Sequence, residues 1–152
     1  MDLSQYAELF LAESREHLGA CNTLLLAWER DPGAAEPVRG LFRSVHTIKG
    51  MAATMGYGGV AELAHGMENL LDRLRRGAGP PDPELIQTLF RAADALERAI
   101  ERAVAGQEDD AGVSATVAEL DRAARPLPGE TPAGQGALRL ETATRAHAAA
   151  GG

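Results

Sequence analysis

At 152 residues the chain has room for one domain with a substantial core. Hydrophobic residues at 45 % and charged residues at 24 % suit a soluble globular domain, and few aromatics beside many Ala and Leu favour helix over sheet. With 22 acidic against 15 basic residues the net charge is −7, which argues against non-specific nucleic-acid binding.

No basic-then-apolar signal peptide opens the chain. Residues 3 to 29 read as a long first helix. Asp2 and Gln5 have capping-box spacing. Ala7, Phe10, Leu11, Leu18, Cys21, Leu25 and Trp28 form its apolar stripe, with His17 at the boundary. Cys21 is the lone cysteine, so no internal disulfide is available, and the chain suits a reducing cytoplasm. The longest apolar run, Leu24 to Trp28, is far too short for membrane insertion. Asp31-Pro32-Gly33 breaks the helix.

The second helix starts near Pro37 and runs to about Met55, with Gly56 as its stop. Leu41, Val45, Ile48, Ala52 and Met55 recur at steps of three and four and share one face. His46 is rotated about 100° off that stripe. It falls in the row Arg39, Arg43, His46, Gly50, Ala53, which is polar or small throughout, so the imidazole points at water or at a partner. Gly50 costs about 1 kcal/mol against alanine inside a helix. One turn after His46, any side chain there would crowd the imidazole, so the gain is access. Lys49 places a flexible cation at i+3 from the histidine.

The third helix, about Gly59 to Arg76, buries Val60, Leu63, Ala64, Met67, Leu70, Leu71 and Leu74. Ala61, His65, Glu68, Asp72 and Arg75 form a neighbouring polar strip, with His65 and Glu68 standing together at i,i+3. After the loop at 77–81, Asp82-Pro83-Glu84 opens a fourth helix that carries Leu85, Leu89, Ala93, Leu96, Ile100 and Ala103 and ends by Gly106. A shorter fifth helix covers about Asp110 to Ala124, with Val113, Val117, Leu120 and Ala124 at helical spacing. Residues 126–152 are rich in Pro, Gly and Ala and read as linker, with an alanine-rich stretch from Leu138 to Ala149 that makes at most a marginal helix, too short to persist without packing. The fold class is therefore all-α: an antiparallel up-down four-helix bundle core with a fifth C-terminal helix, then an irregular tail. Residues 1–125 form the domain, and the linker is expected to lead to further domains.

The string His46-Thr47-Ile48-Lys49-Gly50-Met51-Ala52-Ala53-Thr54-Met55-Gly56-Tyr57, set in the second of five helices, resembles the phosphorylated segment of histidine phosphotransfer domains. It is most similar to the N-terminal phosphotransfer domain of the bacterial chemotaxis histidine kinase. The resemblance covers roughly residues 1 to 125. It implies that His46 is phosphorylated on Nε2 and that Glu68, on the third helix, accepts the proton of Nδ1. It further implies that Lys49 contacts the phosphoryl group and that His65 is a second histidine near the site. The chemistry is coherent. An imidazole with an ordinary pKa near about 6.5 is largely neutral at cytoplasmic pH. A carboxylate on Nδ1–H fixes the tautomer that leaves Nε2 bare, and it stabilises the positive charge that develops on attack.

No G-x-x-x-x-G-K-[ST] loop and no metal-spaced acidic cluster occurs. The chain is thus read as a phosphoryl carrier and substrate, not an enzyme by itself, with ATP and Mg²⁺ used by a separate kinase domain. The resemblance implies as partners that ATP-binding domain, acting in trans within a dimer, and the receiver domains of response regulators. Arg39, Arg43 and Lys49 make the face around His46 locally basic and suited to an acidic receiver pocket. Three other readings compete. One is the phosphotransfer module of a hybrid sensor kinase or a stand-alone relay protein. Another is a metal-binding helical bundle, suggested by the E-x-x-H spacing of Glu62 and His65. The last is a structural adaptor bundle, which leaves Gly50 and the His46, Lys49, Glu68 set unexplained.

Overall fold

The structure is a computed structural model, and it describes residues 2–77 and 81–124. The expected linker and tail helix lie outside the described residues. Five helices form where the apolar periodicity places them: α1 (Leu3–Arg30), α2 (Glu36–Met55), α3 (Gly58–Arg76), α4 (Pro83–Val104) and α5 (Asp110–Ala124). Among the described residues there is no strand.

The ends follow from local chemistry. Asp2 Oδ1 accepts from the Gln5 amide at 3.0 Å while Gln5 Oε1 accepts from the Asp2 amide at 3.3 Å, so the capping box forms as its spacing predicts. Asp82 Oδ1 accepts from the Glu84 amide at 2.9 Å and starts α4. At the far end of α2, Gly56 adopts φ 78°, a left-handed conformation that glycine reaches without a Cβ penalty. That turn lets the Tyr57 amide reach back to the Ala52 carbonyl at 2.9 Å and sends the chain directly into α3. The α1–α2 turn is closed differently: the Trp28 indole N–H donates to the Pro32 carbonyl at 3.2 Å.

α1 packs on α2, α2 on α3, α3 on α4, and α4 closes the square against α1. No diagonal pair meets, which is the neighbour pattern of an up-down four-helix bundle. α5 lies outside the square and packs on both α3 and α4. The core is aliphatic. Leu25, Leu41, Val45, Ile48, Leu63, Leu70, Leu71, Leu96 and Ile100 are each almost wholly removed from solvent, every one contributing about 1.5–3 kcal/mol by burial.

The expected stripes hold with a few shifts. Ala7, Leu11, Met55, Leu74, Leu85 and Val117 are only half-buried, because they sit at the edges of their stripes. Ser14, Gly40, Gly66, Ile86, Ala92 and Ala95 are buried although none belongs to a stripe expected from sequence. The glycines have a geometric cause. A Cβ at Gly40 would stand 2.8 Å from Leu24 Cδ1, and one at Gly66 would stand 3.3 Å from Leu120 Cδ1. Gly40 therefore lets α1 approach α2, and Gly66 lets α5 approach α3. Since α2, α4 and α5 all pack on α3, that helix is covered on more of its circumference than a bundle-edge helix.

Candidate functional site

The site lies on the seam between α2 and α3. The stripe Leu41, Val45, Ile48 and Ala52 is buried against the bundle and fixes the rotation of α2. That rotation leaves the whole row Arg39, Arg43, His46, Gly50 and Ala53 exposed, as the sequence predicts. The His46 side chain is 62 % exposed.

Across the seam α3 presents Glu68. It stood on a polar strip in the sequence, yet its side chain is only 9 % exposed. Glu68 lies against α2, whose His46 and Lys49 stand over it and supply the hydrogen bonds that a buried carboxylate needs. Glu68 Oε2 bonds to His46 Nδ1, and Lys49 Nζ donates to Glu68 Oε1 at 2.7 Å. His65 Nδ1 stands 3.6 Å from the same Oε1, with its side chain 59 % exposed. Burial alone would raise the carboxyl pKa of Glu68. The hydrogen bonds from Lys49 and His46, with their charges, outweigh that and hold it below the usual carboxylate range.

The four polar residues that the sequence analysis singled out thus come together, with two changes. Lys49 is not an open cation on the surface: it is 29 % exposed and clamped to Glu68. Gly50 does not keep a Cβ off the resting imidazole, since a Cβ there would meet nothing within 4 Å. Nor does it let another helix approach. What it leaves is bare surface one turn beyond the histidine. The local basicity is also smaller than Arg39 and Arg43 suggest. Both pair with Glu36, at 2.9 and 3.4 Å, and these bonds hold the Glu36 carboxyl below its ordinary range.

Two residues at the site had no role in the sequence analysis. The Phe42 ring, one turn before His46, stacks with the imidazole, and the Arg75 guanidinium lies over the Phe42 ring. An aromatic at i−4 from the histidine was the available signal.

With Nδ1 engaged by a carboxylate, Nε2 is the ring nitrogen left to carry a lone pair, on a side chain that is mostly exposed. Glu62, half of the E-x-x-H spacing, is exposed, and among the described residues no three His, Cys, Asp or Glu side chains are arranged to hold a metal ion. No helix among them is long and apolar enough to cross a membrane.

Residues 5–122 match the Hpt domain family. The chain is 41 % identical over 121 residues to the chemotaxis protein CheA of Bacillus subtilis (strain 168), an alignment that covers 80 % of this chain and 18 % of that protein. It is 40 % identical over 119 residues to the chemotaxis protein CheA of Listeria monocytogenes, covering 78 % and 19 %. The chain therefore spans about a fifth of the length of these curated relatives. Among solved structures it is similar to the histidine phosphotransfer domain of CheA in solution, at TM-score 0.68 and 31 % identity, covering 79 % of this chain and 92 % of that one. It is also similar to the phosphorylated P1 domain of CheA3 in complex with CheY6 from R. sphaeroides, at TM-score 0.67 and 28 % identity, covering 79 % and 98 %.

Proposed function

From the premise that this chain belongs to the Hpt domain family, we propose that His46 is its phosphoryl-carrying residue, in a chemotaxis-type two-component relay. One observation carries the reading: an exposed imidazole whose Nδ1 is held by the buried carboxylate of Glu68. The likeness to CheA proteins and to a phosphorylated P1 domain in complex with CheY6 supports the chemotaxis type over a hybrid kinase or stand-alone relay.

The chain's own residues do the following. The Nε2 lone pair of His46 attacks the γ-phosphorus of ATP held on a separate kinase domain, in trans within a dimer of the longer protein. The Nε2–P bond forms as the bond from phosphorus to the bridging oxygen breaks, and ADP leaves. Nδ1 keeps its proton throughout. Glu68 holds that proton in place and offsets the positive charge that the ring acquires. In the second transfer an aspartate oxygen of a response-regulator receiver attacks the phosphorus. The P–N bond breaks and its electron pair returns to Nε2. Lys49 sits one turn from the ring and, on leaving Glu68, reaches the phosphoryl oxygens. ATP and Mg²⁺ belong to the kinase domain and Mg²⁺ to the receiver. The chain itself acts as carrier and substrate in the cytoplasm.

The test is incubation with labelled ATP and a CheA-type kinase domain, comparing wild type with His46→Gln. Acid-labile label is expected in wild type alone. Equal label in His46→Gln refutes the assignment.

A further inference from the structure

The seam between α2 and α3 holds the imidazole a second time, away from the Glu68 bond. The rings of Phe42 and His46 lie nearly parallel, 7° apart in plane, with centroids separated by 6.1 Å. The guanidinium carbon of Arg75 stands 4.6 Å from the centre of the Phe42 ring. Arg75 is itself anchored, since its Nη2 donates to Asp72 Oδ1 at 2.5 Å. Phe42 is one turn before His46 on α2, and Arg75 is two turns beyond Glu68 on the antiparallel α3. Both therefore lie on the same side of the site. On the opposite side of the imidazole is Gly50, where even a Cβ would find open space.

A hydrogen bond through one nitrogen leaves a ring free to swing about that bond, and the χ2 torsion of histidine is broad. A second plate, parallel to the ring and at ordinary stacking distance, removes that freedom. A cation over the far ring fixes the plate in turn.

We propose that Phe42 and Arg75 are positioning residues for phosphotransfer. Phe42 sets the plane of the His46 imidazole, Arg75 holds Phe42 by its ring, and together they screen one flank. Donor and acceptor then reach Nε2 from the Gly50 side. This rests on His46 being the phosphoryl carrier. Neither residue touches the reacting atoms, and each acts through the one before it.

The experiment uses the full chain and phosphoramidate as a small phosphoryl donor. The Nε2–P bond forms, the P–N bond of phosphoramidate breaks, and ammonia leaves. Acid-labile phosphate in His46→Gln would show that the carrier reading fails, whatever the other variants do. With that control blank, Phe42→Leu should be phosphorylated about three- to tenfold more slowly, the rate equivalent of one aromatic contact. Phe42→Tyr, which keeps the plate, should stay within about twofold of wild type. Arg75→Gln should slow the reaction about two- to threefold, and should add nothing in the Phe42→Leu background. Relaxation of the carbon-13-labelled His46 ring should show a rigid imidazole in wild type and added ring motion in Phe42→Leu, with the Nδ1–H tautomer kept by Glu68 in both, a change that altered stability alone does not produce. Wild-type rates and ring motion in a folded Phe42→Leu overturn the proposal. So does an Arg75→Gln effect of equal size in both backgrounds. If Phe42→Leu does not fold, the exposed Arg75 decides: an unchanged rate and unchanged ring motion in Arg75→Gln overturn the proposal, and slowing with added ring motion supports it.

Discussion

Replacing Glu68 with glutamine is the most informative single change at the site. The two side chains have the same shape, so the core around α3 is undisturbed. The amide has one acceptor oxygen, whereas the carboxylate serves both His46 Nδ1 and Lys49 Nζ. A hydrogen bond to a charged group contributes about 1.5–3 kcal/mol net. The imidazole is mostly exposed, so the lower end applies in the resting state. During attack the ring becomes positive and the missing carboxylate matters more. At about 1.4 kcal/mol per tenfold, Glu68→Gln should slow phosphorylation from a CheA-type kinase domain about ten- to a hundredfold. Stability at neutral pH should fall by only about 1 kcal/mol, because the variant also escapes the cost of burying an ion. The pH dependence has a definite sign. Burial works to raise the Glu68 pKa, but the Lys49 and His46 hydrogen bonds prevail and lower it. A depressed carboxylate contributes stability above its unfolded pKa of about 4.3 and loses it as pH falls through the folded value. Wild type should therefore hold its advantage at pH 7 and lose it below about pH 4. Rapid-quench phosphorylation and thermal melts at the two pH values measure both parts. An unchanged rate in Glu68→Gln would refute the role of the carboxylate, and an advantage undiminished in acid would refute its ionisation.

Two further outcomes follow from the geometry. Gly50→Ala should stabilise the chain by about 0.5–1 kcal/mol, since a Cβ there meets nothing within 4 Å and alanine is the better helix former. Gly50→Leu should fold as well but pass its phosphoryl group to a receiver domain more slowly, and an equal transfer rate would remove access as the reason for glycine. Burial pushes the Cys21 thiol up to about 11, a hydrogen bond with Ser44 opposing it. Alkylation by iodoacetamide at pH 8 should then track global unfolding, and rapid labelling of the native chain would show that the α1 stripe opens locally.

The fold was largely legible because each helix carries a clean apolar stripe between strong stops. Asp2, Gly56, Asp82 and Gly106 mark ends that the structure reproduces. Less legible were features that depend on which helices meet. Gly66 is ordinary in the sequence, and only the approach of Leu120 from α5 gives it a purpose. Glu68 reads as surface until α2 lays His46 and Lys49 against it. The exposure of His46 was visible from its offset to the Leu41–Val45–Ile48 stripe, since rotation about a helix is set by what must be buried. The partner of Lys49 was not, because a flexible side chain can face either the seam or solvent. Phe42 has no place in the sequence pattern that picks out His46, because its stacking with the imidazole is a tertiary fact.

The central claim concerns one nitrogen atom, and phosphorus–nitrogen coupling in a nitrogen-15-labelled, phosphorylated sample reads it directly. The chain has four histidines. A single phosphorylated imidazole is predicted, that of His46, with phosphorus coupled to Nε2 and a proton retained on Nδ1. Phosphorus on Nδ1 of His46, or on any other histidine, would contradict the account.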